Sequence, residues 1–389
     1  MTQNPEPSRT NRLSRRAYLA TTVAAAGAVA GCLGDDSDSE NGDTASGDGE
    51  PSAPEPVEGS NAPSVPAVEN PPEAVYLPTH QEAMEHLPTV EAGDFAVTPM
   101  VTYPHKFWLV NGSQREEVTP SSTGVHLMAT VWDSETGSVL PVDTGAQTRV
   151  LRDGERIDQR APWPMISQTM GFHFGDNVAL PEQGTYTVEL DLNPIEQTVA
   201  HKTGAFAGRF EEAETVSFEF EFDQEFQEAV VDGVEYFEED RWGERAAVEP
   251  LSGMDGGMEM SMPYSALQAA EAYPGRDLGT PASGDATFVV RYLEQTELSE
   301  RSTGYLLVSP RTPYNRVPLA DTALSVTGAL EAELVQTLDS DLGHHYGVPA
   351  DLSAGDRLEI VVESPPQVAR HRGYETAFLD MPSMTVEVP

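Results

Sequence analysis

From residue 95 onward the chain is a series of short runs in which β-branched and aromatic residues crowd together, each cut off by Gly, Pro or Asp. Phe95-Ala96-Val97-Thr98-Pro99-Met100-Val101, the run 125–132 and the run 185–192 all have strand length, and long 3.6-residue periodicity is scarce. A second set of such runs begins near Ala286-Thr287-Phe288-Val289-Val290. This spacing predicts an all-β chain of two tandem immunoglobulin-like antiparallel β-sandwiches, over 76–225 and 285–389. The stretch from Asp223 to Arg245 is acidic with scattered Phe, Val and Tyr. It reads either as a last strand running into a helix or as a solvated link. With the Gly-, Met-, Pro- and Ser-rich residues 250–284 it makes 226–284 an acidic, Met-rich linker. Residues 33–75 carry Asp, Glu, Gly, Ser and Pro with little that is apolar, the composition of a disordered acidic tether.

The two strand sets share a motif. Gly171-Phe172-His173-Phe174-Gly175 recurs as Gly343-His344-His345-Tyr346-Gly347, and the strands behind each copy recur as well. Gln197-Thr198-Val199-Ala200-His201 is answered by Gln367-Val368-Ala369-Arg370-His371. The chain thus holds one histidine-bearing module twice.

Composition narrows the function. With 64 acidic against 22 basic residues the formal charge is −42, which repels nucleic acid and anionic membrane surfaces. Lysine occurs only at 106 and 202, and the acidity runs along the whole chain, a pattern resembling the proteins of halophilic archaea, where salt screens self-repulsion. No Asp-x-Asp-x-Asp-Gly loop suggests calcium. There is also no nucleophile elbow, phosphate loop, His-Glu-x-x-His or reactive cysteine, so a non-enzymatic role is expected.

Residues 1–32 read as an address. Ser14-Arg15-Arg16-Ala17-Tyr18-Leu19 resembles a twin-arginine export signal, with Arg15 and Arg16 as its pair, and a short apolar run ends in the lipobox-like Val29-Ala30-Gly31-Cys32. That run is far shorter than the roughly 20 residues of a membrane-spanning helix. Cys32, the sole cysteine, is the expected lipid attachment point; the alternative is an uncleaved signal anchor. The expected location is extracytoplasmic, on the outer face of the cell membrane.

The candidate chemistry is soft. Trp163-Pro164-Met165 and His173 lie on one strand-turn segment, His201 follows the next strand, and His105 sits upstream in Tyr103-Pro104-His105-Lys106-Phe107. Thioether and imidazole together select copper and late first-row ions over magnesium or calcium. The bland reading of each glycine-flanked histidine is a turn-stabilising side chain. In the second copy Leu334, Val335 and Leu338 stand where the methionine segment belongs. His344, His345 and His371 therefore form either a weaker histidine site or a degenerate copy kept for packing. Met254, Met258, Met260 and Met262 resemble soft hooks for cuprous ions, or are simply linker residues. His80, Met84 and His86 could share a face of a short surface helix.

Over about residues 95–220 the sequence resembles the periplasmic iron-transport accessory proteins, which partner an iron permease and bind copper and iron on an immunoglobulin-like sandwich. The resemblance rests on Trp132-Asp133-Ser134-Glu135-Thr136-Gly137, Trp163-Pro164-Met165, His173-Phe174-Gly175-Asp176-Asn177-Val178 and Gly184-Thr185-Tyr186-Thr187-Val188. In that family a Met, the His before the aromatic-Gly pair, a His after the following strand and a His-x-Glu on an early strand ligate the metal. Carried over, these imply Met165, His173, His201 and His105, with Met170 as a rival sulfur and Phe107 in the place of the carboxylate. The implied cargo is a copper or iron ion and the implied partner a membrane iron permease. Pairing with a second copy, as a homodimer, stays open. The competing expectation is a surface adhesion or assembly protein in which the His-aromatic-Gly segments are structural turns.

Overall fold

The computed structural model describes residues 59–251, 262–294, 296, 298–299 and 303–389. Arg15, Arg16, Cys32, Met254, Met258 and Met260 lie outside them. Among the described residues the regular structure is strand, except for the α-helix Gln224–Asp232 and three short 3-10 turns, so the all-β expectation holds. That helix settles the two readings of the acidic stretch in favour of strand into helix: Glu214–Phe222 runs straight into it. The carboxylate of Asp223 caps it by accepting from the Phe226 N–H at 2.8 Å.

The first unit stacks two sheets. One runs Glu85–His86, Phe95–Thr102, Gly124–Asp133, Gly171–Ala179, Trp163–Ser167, Ala369–Arg370, Phe107–Asn111, Gln114–Val118. The other runs Glu214–Phe222, Gly184–Leu192, Gln147–Arg152, Glu155–Arg160. Strict alternation makes the second sheet half-buried: Tyr186, Val188, Leu190, Val216, Phe218, Phe220 and Phe222 point inward, while Thr187, Glu189, Ser217, Glu219 and Glu221 are exposed or half-buried between them. The first sheet is different. Phe95–Thr102 is buried at every position and Gly124–Asp133 at all but Trp132. Val125, Leu127, Ala129 and Val131 fill the apolar cores, so His126, Met128 and Thr130 occupy the opposite face, which is also covered.

The second unit is one continuous ladder: Arg276–Gly279, Ala286–Leu293, Gly304–Arg311, Gly343–Ala350, Ala332–Asp339, Ala323–Gly328, Arg357–Ser364, Met384–Glu387. It starts ahead of residue 285, because Arg276–Gly279 and Ala282–Ser283 already pair with Ala286–Leu293. Residues expected in the linker also dock on the first unit. Ser265 Oγ accepts from the Phe172 N–H at 2.8 Å, and Tyr264 donates its hydroxyl to the Gln168 carbonyl at 2.9 Å. The two units share one apolar core in which Phe95, Val97, Phe172 and Phe174 belong to the same cluster as Phe288, Leu306, Tyr346 and Phe378.

The units also exchange strands. Ala369–Arg370, from the C-terminal part of the second unit, inserts between Trp163–Ser167 and Phe107–Asn111 of the first. In return His201–Thr203, from the first unit, pairs in parallel with Ala332–Asp339 of the second. Neither unit's sheet is complete without a strand of the other.

Candidate metal centre

Register brings the expected Met and His together. Met165 lies directly opposite His173 across neighbouring antiparallel strands, so both side chains project on the same face. The glycines of the repeated motif shape that face. Gly171 turns into the strand at φ 71°, as Gly343 does at 70°, a region that favours residues without a Cβ. Gly175 leaves a hole: a Cβ there would sit 2.9 Å from Met165 Sδ and 3.0 Å from His126 Nε2. Those two atoms therefore converge on one point from adjacent strands.

His105, His126 and His371 close around it, with their nearest ring nitrogens all within 4.8 Å of one another. Ring centroids stand 4.0 Å apart for His105 and His126, 4.9 Å for His105 and His371, and 4.9 Å for His173 and His371. His173 Nε2 and His371 Nε2 are 3.1 Å apart. Bonds of about 2.0–2.1 Å place two cis nitrogens of one ion about 3 Å apart. His371 reaches the site because its N–H donates to the Ile166 carbonyl at 3.1 Å, which fixes it beside the Met165 strand.

The partners of the remaining ring nitrogens set the tautomers. His105 Nδ1 faces the Lys106 carbonyl at 3.1 Å and His173 Nδ1 the Gly171 carbonyl at 3.1 Å; a carbonyl only accepts, so each Nδ1 carries the proton and each Nε2 a lone pair. His126 Nδ1 lies 2.9 Å from Asn177 Oδ1. Asn177 also accepts from the His105 N–H at 3.2 Å and donates Nδ2 to the His105 carbonyl at 2.8 Å, so one amide aligns both imidazoles. His126 Nε2 is then a buried lone pair with no hydrogen-bond partner. Leaving such a group unsatisfied costs about 1–3 kcal/mol.

A further histidine and a carboxylate come from a segment expected to be helical. Thr79 to His86 forms no helix: His80–Gln81 pairs with Glu235–Tyr236, and Glu85–His86 with Phe95–Thr102. As a strand, His80-Gln81-Glu82 is itself a His-x-Glu. Thr79 Oγ1 donates to the Pro66 carbonyl at 2.9 Å and so accepts from His80 Nδ1 at 2.8 Å, leaving His80 Nε2 facing Glu82 Oε1 at 3.7 Å. Burial alone would push the Glu82 carboxyl up, but His80 and His105, whenever they carry a proton, and Arg372 pull it below its ordinary value. Glu82 in turn opposes the downward effect of burial on His105.

Burial keeps these imidazoles neutral. It lowers His80 and His173 to about 4, lowers His126 and His371 well below the ordinary 6.5, and lowers His105 as well. Neutral imidazole is the form that coordinates. The result is a cluster offering several imidazole lone pairs and one thioether.

The structure departs from the sequence reading at several positions. His201 is exposed and paired with Thr337 in the other unit, so it takes no part in this cluster; His371 supplies the donor expected of it. Met170 packs among Met100, Met128 and Met262 instead of beside His173. Phe107 stands two residues after His105, where the resemblance implies a carboxylate; a His-x-Glu occurs instead at His80-Gln81-Glu82. His344, His345 and His371 share no site: His371 is in the first unit's cluster, and His344 and His345, as strand neighbours, point to opposite faces. Register shows what the second unit holds at the matching positions. His345 faces Thr337 where His173 faces Met165, and Tyr305 stands in the place of His126. Because His201 pairs with Thr337 as Ala369 does with Met165, the equivalent of His371 is Thr203. These residues satisfy one another: Tyr305 Oη lies 3.3 Å from His345 Nε2 and 3.5 Å from Thr337 Oγ1, and Thr203 donates to Asp339 at 2.8 Å. Sequence reasoning missed His126 as a member of the cluster, and it missed the His80-x-Glu82 pair, whose spacing was a signal.

Two family models match parts of the chain. Residues 145–224 match the Fe2+ transport protein family and 271–387 match a domain of unknown function (DUF7350). Among solved structures, a copper-bound variant of FetP from uropathogenic Escherichia coli strain F11 is similar over 36% of this chain and 97% of its own. Its sequence identity is 19% and its TM-score 0.29. The as-isolated form of the same protein, expressed in the periplasm of E. coli BL21(DE3), matches over 36% and 96% at 18% identity and a TM-score of 0.29. No curated protein matches the chain.

Proposed function

We propose that this is an extracytoplasmic, lipid-anchored protein that captures a copper or iron ion and supports iron uptake by a membrane permease. The observation that carries the reading is His126 Nε2, a buried unpartnered lone pair aimed at the point where Met165 Sδ and the other imidazoles meet. A structural turn histidine would have that nitrogen satisfied. The match of 145–224 to the Fe2+ transport protein model takes in Met165 and His173 and supports iron transport as the setting. The export-signal and lipobox resemblances at Arg15, Arg16 and Cys32 support the location.

The donor set is graded. Met165 with His126, His173 and His371 is the soft side, suited to copper; Glu82 with His80 and His105 adds an oxygen and suits a harder ion. Because His371 comes from the second unit, the site forms only when both units are docked.

Elemental analysis of the purified chain after loading with Cu(II) and desalting tests this. One ion per chain is expected, lost in the Met165→Leu/His173→Phe double variant with the fold intact by circular dichroism. Unchanged stoichiometry in that variant would remove the proposed site.

A further inference from the structure

Beside the histidine centre, and independent of it, lies a second group of soft donors. Met100, Met128, Met170 and Met262 form a buried cluster of their own, with Met84 and Leu251 packed against it. These residues come from well-separated segments. Met100 lies directly opposite Met128 across neighbouring strands, and His86 lies directly opposite Met100 on the next, so the three side chains form a row on the sheet face that also carries His126. His86 Nδ1 is buried with no hydrogen-bond partner. Thr130 directs its hydroxyl at Met262 Sδ, 3.7 Å away.

Apolar filling alone does not explain this composition. Methionine occupies 12 of 389 positions, and the buried clusters elsewhere in the fold are built mainly from Leu, Val, Phe and Tyr, yet all four buried members here are methionine. A thioether differs from a leucine methyl in one respect that matters: its sulfur is a soft, polarisable donor. Met84, packed against the cluster, also lines a cleft with Glu85, Glu221, Asp223 and Glu225, four carboxylates that draw cations.

We propose that Met100, Met128, Met170 and Met262, with Met84 and His86 beside them, bind a monovalent soft cation, Cu(I), separately from the ion held by the histidine centre. Three or more thioethers without a charged ligand favour Cu(I) over Cu(II) and over iron.

Silver(I), redox-inert and of the same preference, is the probe. The full chain carrying Met254→Leu, Met258→Leu and Met260→Leu is titrated calorimetrically, which leaves the clustered thioethers in place. One silver equivalent is expected to remain, to persist in the additional Met165→Leu/His173→Phe variant, and to weaken by about 100-fold in the additional Met100→Leu/Met128→Leu variant. Leucine conserves volume closely enough for the fold to tolerate the exchange. Retention of full silver affinity in Met100→Leu/Met128→Leu would overturn the proposal. If that variant does not fold, X-ray absorption of the silver-loaded parent decides: a shell of three or more sulfurs is expected, and a shell of nitrogens alone overturns it. Loss of silver only with Met165 and His173 would assign the soft ion to the histidine centre and refute a separate site.

Discussion

Gly175→Ala is the most direct probe of the centre, because it adds one methyl group at the point where two donors meet. Gly175 lies mid-strand and is not among the glycines with positive φ, so alanine meets no backbone penalty there. Its Cβ would stand 2.9 Å from Met165 Sδ and 3.0 Å from His126 Nε2. Relaxed contacts between such atoms need about 3.5–4.0 Å, so each donor must withdraw by roughly 0.5–1 Å. Metal bonds tolerate about 0.2 Å of misplacement. Copper affinity is therefore expected to fall by about 10–100-fold, the range seen when groups orienting metal ligands are lost. The stability of the metal-free protein should change by no more than about 1–3 kcal/mol of overpacking. Competition against a chelator reads the affinity and urea unfolding reads the stability. Gly347→Ala is the control: its Cβ would meet the Tyr305 ring in the second unit, so it should cost stability and leave copper affinity alone. Parental affinity in Gly175→Ala would show that the ion does not bind where Met165 and His126 converge.

Three further outcomes are expected. His371→Ala should lower the copper-to-protein ratio after desalting, whereas His201→Ala, at an exposed position in the other unit, should leave it unchanged. Glu82→Gln keeps size and removes charge, so it should weaken ferrous-ion binding more than copper binding in parallel titrations. In the second unit, burial first of all holds His345 at about 4 in the folded state, against 6.5 for an ordinary imidazole. The unfolded chain thus binds the extra proton between those values. The stability contribution of a neutral His345 is complete above about pH 6.5 and falls by on the order of 3 kcal/mol as the pH drops to about 4. Urea midpoints at pH 7, 5.5 and 4.5, compared with those of His345→Gln, check this; parallel curves for the two proteins would contradict it.

Much of the strand pattern is legible in the sequence because alternation such as Thr185-Tyr186-Thr187-Val188-Glu189-Leu190 has one physical cause, a sheet with one covered face. Met165 and His173 were legible for the same reason, since an eight-residue separation around a turn places them opposite each other. His126 was hidden. Its strand is buried on both faces, so Val125-His126-Leu127-Met128 reads as an apolar run, although a polar residue at every fourth position, His126 and Thr130, hints at a functional face. His80 and Glu82 were masked by a helical reading of a segment that pairs as two short strands. The exchange of His201 and His371 between units was invisible for a deeper reason. Linear alignment matches His201 with His371, but strand register matches His201 with Ala369, a slip of two residues that only pairing partners in the other unit can reveal.

In that reciprocal exchange each unit lends the other a strand that completes its face, yet the two faces are lined by different side chains. In one, Met165, His126 and His371 converge; in the other, Thr337, Tyr305 and Thr203 hold the matching positions and pair with one another and with Asp339. The hydroxyl-lined face stabilises the docking without an ion, while the histidine face leaves a lone pair unsatisfied until one arrives. Linkage then couples the two events: an ion that binds only the docked form stabilises it by about 2.7 kcal/mol at a hundredfold excess over Kd. Capture of the ion and closure of the C-terminal segment over the first sheet are on this view one equilibrium, and His371 is the side chain that connects them.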